Sequence, residues 1–131
     1  MSIEINLLSW LLLQPVHATD IGEPDRLSRM SQISEAIAVV AAGNRLMAAS
    51  LAIIAREESA FRRDVQEGRC PAHLCDRGKA RGLAQLHRPP TVSVSVWLGW
   101  AGESYENTLA GLVQAANMLR SGRAACGNLD G

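Results

Sequence analysis

A chain of 131 residues, 47% of them apolar, suffices for one compact domain and is short for two, because a domain commonly takes roughly 100 to 200 residues. Thirteen Lys and Arg balance thirteen Asp and Glu, so general nucleic-acid binding has no net charge behind it and is disfavoured. Charged residues at 20% and a mean hydropathy near zero exclude a chain too polar to fold. With only five aromatic residues, the core has to be built from Ala, Leu, Ile and Val.

At the start of the chain, Leu7 to Leu13 is an apolar run too short for a bilayer, which takes about 20 residues. Val16-His17-Ala18 follows, with the small residues that signal peptidase accepts, although Met1 to Asn6 holds Glu4 and no Lys or Arg. Residues 1–24 therefore read as an N-terminal segment with a weak export signal ending at Ala18. If that signal is used, the destination is the periplasm or cell wall.

From Asp25 to Ala42, Met30, Ile33, Ile37, Val40 and Ala41 recur at the spacing of one helical face. Pro24 precedes this stretch and Gly43 stands where a helix-ending glycine belongs. Asn44 is a suitable cap for a second helix, predicted to run through Arg62 without internal Gly or Pro. On a wheel of about 100° per residue, Arg45, Ala52, Arg56, Ser59 and Arg63 form the wet sector. Met47, Leu51, Ile54, Ala55 and Glu58 form the apolar one, with Glu57 at its border near Leu46, Ser50 and Ile53. Glu58 thus interrupts the apolar face. Glu is almost never fully buried unpaired, which favours a helix-end residue whose carboxylate reaches water. Partial burial would instead raise its pKa and make it a ready general acid.

Residues 63–81 are predicted as a loop of a length that compact domains rarely keep without a function or a tether. Arg62, Arg63, Arg69, Arg77, Lys79, Arg81 and Arg88 outnumber Asp64, Glu67 and Asp76 around it. This is either a solvated loop or a surface for an anionic substrate. Cys70 and Cys75 are close enough in sequence to be bridged if the loop turns, leaving Cys126 over. Zinc held by Cys70, His73, Cys75 and His87 is the weaker reading, since structural ligand pairs normally sit two to four residues apart. No metal or cofactor is expected.

Gly82-Leu83-Ala84-Gln85-Leu86 opens a short apolar segment that Pro89-Pro90 ends. Thr91 to Trp97 reads as irregular or a short helix. Ser104 caps a last helix that carries Leu109, Leu112, Val113, Ala116 and Leu119 and closes at Arg120, Gly122 and Arg123. Three long helices without paired strands predict a compact all-α fold over residues 25–125, with the long loop packed across it and residues 126–131 as a tail.

Glu58-Ser59-Ala60-Phe61, followed by Ala80-Arg81-Gly82-Leu83-Ala84-Gln85-Leu86, resembles the lytic transglycosylase (SLT) domain, whose fold is lysozyme-like. That family has a Glu-Ser pair ending a buried helix, an aromatic two residues later and a downstream Gly-Leu-Met-Gln-Leu element. Asn107 to Leu119, with Ala110-Gly111 and Ala115-Ala116, is similar to its later Asn, Ala-Gly, Leu helix. The resemblance covers about residues 30 to 120.

The resemblance implies cleavage of the β(1,4) bond between N-acetylmuramic acid and N-acetylglucosamine in peptidoglycan glycan strands by a monomer without cofactor. Glu58 would protonate the departing oxygen and then act as base on the muramic 6-hydroxyl, giving a 1,6-anhydro end. Ser59, Gly82, Leu83 and Gln85 would serve the substrate site, and the basic loop would meet lactyl and stem-peptide carboxylates. Ala84 departs from the family's Met. The family's Ala-Tyr-Asn element has no match: Ala115-Ala116-Asn117 lacks the Tyr, and the only tyrosine is Tyr105. The chain stops at Gly131, about where that element is expected, which reads as a truncated or degenerate domain. An inverting lysozyme would need a second carboxylate, with Asp64, Glu67 and Asp76 as candidates. A glycan-binding or assembly module that has lost catalysis, and a purely structural helical protein, are the readings from other classes.

Overall fold

The structure, a computed structural model, describes residues 3–125. In chain order it contains α1 (Ile3–Leu13), a 3-10 turn (Ala18–Asp20), α2 (Arg26–Ala41), α3 (Arg45–Ser59), α4 (Arg63–Gln66), the single turn α5 (Cys75–Gly78), β1 (Ala80–Arg81), β2 (Leu86–His87), α6 (Val94–Leu98) and α7 (Tyr105–Ala125). The architecture is all-α, as the sequence predicts. Cys126 and the tail to Gly131 lie outside the described residues.

The long helices begin and end for local reasons. α2 stops where Ala42 turns left-handed (φ 50) and returns its N–H to Ala38, with Gly43 continuing the turn at φ 85. Asn44 caps α3 by accepting the Met47 N–H at 3.0 Å. α3 ends three residues before the predicted Arg62, because Ala60 and Phe61 both adopt the left-handed conformation (φ 50 and 55). That reversal sends Phe61 inward, where it is fully buried. Ser104 receives the Asn107 N–H at 3.2 Å, and α7 continues past Gly122 to Ala125 instead of closing there.

The core gathers Leu11, Met30, Ile33, Ile37, Leu51, Phe61 and Leu112 from α1, α2, α3, α7 and the turn after α3. The N-terminal segment is therefore part of the packing and not set apart from it. Leu7 and Leu11 are buried by α2 and α3, and Trp10 meets Phe61 edge-on at 6.2 Å. α1 also explains a correction to the helical wheel. Ala52 and Ser59, assigned to the wet sector, are buried, and Ala52 faces the seam with α1, a second covered side of α3 that helical periodicity does not reveal.

The expectation of no paired strands is corrected as well. Ala80 pairs with His87 and Arg81 with Leu86 in an antiparallel ladder, too short to leave an alternating pattern in the sequence. The loop before it is tethered by α4, by the Cys70–Cys75 disulfide and by an ion pair from Asp76 to His87 at 3.0 Å.

Candidate functional site

Glu58 occupies the last turn of α3, and its side chain is exposed. The partial burial that would poise a general acid is absent. The reason is rotational: the buried stripe of α3 runs through Ala48, Leu51, Ala52, Ala55 and Ser59, and Glu58 falls outside it. Its neighbour Glu57 is bound through one oxygen to Arg56 Nε (3.1 Å) and Nη2 (2.8 Å). No ion pair joins Glu58 to another described residue.

The residues expected to accompany Glu58 are mostly structural. Ser59 is 4% exposed; its Oγ donates to the Ala55 carbonyl at 2.7 Å and accepts the Phe61 N–H at 3.3 Å. It holds the helix end together. Leu83 belongs to the core, and Gly82 lies against the Trp100 carbonyl, where an added Cβ would stand 2.7 Å away. Gln85 is half-buried in the left-handed region (φ 51) and donates its amide to the Gly82 carbonyl at 3.0 Å, closing its own turn. The space between this turn and α7, lined by Gln66, Gly82, Leu83 and Thr108 among others, measures about 10 Å³. That is at most room for one water, so no sugar-sized opening separates this turn from α7.

A polar cluster that sequence reasoning missed fixes the end of α3. Arg29, 5% exposed on α2, donates to the Phe61 carbonyl (2.9 Å), to Gln66 Oε1 (2.7 Å) and to both oxygens of Glu23 (2.6 and 2.8 Å). Asp20 accepts the Arg63 backbone N–H at 2.9 Å, and Gln66 donates onward to Thr108 at 3.1 Å. These contacts tie α2, the segment before it and α7 to the two left-handed residues that follow Ser59.

Three of the seven basic residues of the loop region, Arg62, Arg63 and Arg69, are paired with carboxylates. Arg62 binds Asp64 at 2.7 and 3.0 Å, Arg63 binds Asp25 and Glu67, and Arg69 binds Glu67. Arg81 stacks over Trp97 and donates to the Leu98 carbonyl at 2.7 Å; burial lowers its pKa. The Arg62 hydrogen bond holds the Asp64 carboxyl below its ordinary value. For Glu67, burial acts upward but is outweighed by hydrogen bonds from Arg69 and Arg63. Among the described residues, no group of His, Cys, Asp and Glu is placed to hold a metal ion, and no helix is long and apolar enough to cross a membrane.

No protein-family model matches this chain, and neither a curated protein nor a solved structure matches it.

Proposed function

We propose that the protein acts on peptidoglycan glycan strands as a lytic transglycosylase, with Glu58 as the single acid and base. The observation that carries this reading is the exposed Glu58 at the end of α3, next to buried Ser59 and Phe61, on the same core as the Gly82–Gln85 turn. A glycan laid over the helix end would itself exclude water from the carboxyl group, which a general acid requires. Glu58 would protonate the glycosidic oxygen and then take the proton of the muramic 6-hydroxyl as that oxygen closes onto the anomeric carbon. Only one carboxyl group is needed, whereas an inverting hydrolase needs a second to activate water. Asp64 and Glu67 are held by arginines with lowered pKa values, which makes both poor bases and favours the transglycosylase route.

A second reading, a glycan-binding module without catalysis, is favoured by the exposure of Glu58 outside the buried stripe of α3, together with the close packing of the Gly82 turn against α7. Digestion of purified peptidoglycan followed by mass analysis of the soluble sugars separates the two. Enzymatic activity gives muropeptides lighter by one water than hydrolysis products, and Glu58→Gln abolishes their release while binding persists. At an exposed site this substitution changes stability by no more than about 0.5 kcal/mol, so misfolding cannot mimic the loss. Binding to peptidoglycan by the unmodified protein without any release of sugars decides for the module. Loss of activity in Glu57→Gln but not Glu58→Gln moves the acid by one residue.

A further inference from the structure

Among the described residues, a groove that Glu58 does not line runs along the seam between α1 and α3, with a volume of about 330 Å³. Its shape follows from residue size. Ala49 and Ala52 present small side chains on α3, while Trp10 from α1 and the 45%-exposed Ile53 stand as walls. At the scale of about 30 Å³ per water-sized group, the groove holds roughly eleven non-hydrogen atoms, and it falls within the range of about 300–1,000 Å³ of small-molecule sites.

The described residues that line this groove include two charged ones, Arg45 and Arg56, and no acid. They are separated by about three turns of α3, or about 16 Å. The two ends differ: Arg56 is stacked over Trp10 and already bound to Glu57, whereas Arg45 is exposed at the first turn of the helix. An apolar trough with one available cation at its end selects a molecule that is greasy along its length and negative at one tip. A sugar would leave most of its hydroxyls without partners along the alanines and Ile53, which is costly.

We propose that the α1–α3 groove is a binding site for a single-chain anionic amphiphile, a medium-chain fatty acid being the simplest, with its carboxylate at Arg45 and its chain running past Ala49 and Ala52 toward Trp10. One chain is what the volume admits.

The test is calorimetric titration of the full chain with octanoate and with its neutral counterpart 1-octanol, alongside sedimentation velocity. Octanoate is expected to bind once per chain and about tenfold more tightly than octanol. Arg45→Gln lowers octanoate affinity about tenfold and leaves octanol unchanged, and Ala49→Leu, which fills the trough from an exposed position, removes both. Equal affinity for the two ligands, or octanoate binding indifferent to Arg45→Gln or to Ala49→Leu, overturns the proposal. So does self-association that Ala49→Leu abolishes, since a second copy would then be the occupant. The assay contains no glycan, so its outcome is independent of the role proposed for Glu58.

Discussion

Arg29 shows how much of this molecule depends on one side chain. Its guanidinium is buried among Asp20, Glu23, Gln66 and the Phe61 carbonyl, and Arg29→Met would leave buried Asp20 without its ion-pair partner and Glu23 with only its longer contacts to Arg63 and Arg26. Breaking a buried charge pair from one side costs about 3–5 kcal/mol; urea unfolding should show a midpoint lowered accordingly with an unchanged slope. None of this was legible in the sequence. Asp20 and Glu23 lie in a segment whose composition suggests export, and partners 6 to 37 residues apart leave no periodic trace. The helical wheel set Glu58 in the apolar sector, whereas it lies exposed outside the buried stripe. The partly buried pair of Arg62 and Asp64 makes a smaller and pH-dependent contribution. Asp64 is held below its ordinary value of 3.8 by Arg62, so its contribution is present above that value and is lost as pH falls through the lower folded one. Arg62→Gln is therefore expected to cost about 0.2–1 kcal/mol at pH 7, with a smaller difference from the parent at an acidic pH below the ordinary 3.8. Parallel denaturation curves at the two pH values measure it.

At the scale of elements, the junction of the hairpin with α7 rests on two glycines against one peptide. The Trp100 carbonyl lies where a Cβ on Gly82 would stand at 2.7 Å and one on Gly111 at 2.5 Å, while Asn107 Nδ2 binds the Gly99 carbonyl at 2.9 Å. The Gly82 and Asn107-to-Gly111 features that drew attention in the sequence thus have a packing reason in this fold. Backbone is the obstacle in both cases, and it cannot swing aside. Gly111→Ala is expected to cost about 1–3 kcal/mol, read as a lower thermal midpoint; a stability within error of the parent would mean the two elements do not approach this closely. The three long helices were legible because periodicity and caps are local properties. The buried face of α3 was read wrongly at Ala52 and Ser59 because a helix wheel counts apolar residues, whereas burial depends on which neighbours arrive, and α1 was not anticipated as one.

The whole molecule turns on that first helix. Its sequence is apolar on nearly every side, the pattern of a helix covered by other elements, yet the same pattern reads equally well as the hydrophobic part of an export signal. The packing separates the two readings by what each predicts for a chain beginning at Thr19. If α1 belongs to the folded unit, its removal uncovers the faces of α2 and α3 it packs on, Ala52 among them, and forfeits the burial of Leu7 and Leu11. At about 1.5–3 kcal/mol for each buried leucine, the loss is about 3–6 kcal/mol, a large share of the about 5–15 kcal/mol that holds a typical domain together. The shortened chain is then expected to unfold at much lower urea than the full one and to bind hydrophobic dye, and Leu11→Ala alone should cost about 2–5 kcal/mol. Equal midpoints for the two chains would instead mean that residues 30 to 120 make their own core and that α1 only rests on it. The groove beside α1 would in that case vanish with the helix, while the end of α3 and Glu58 would be left standing.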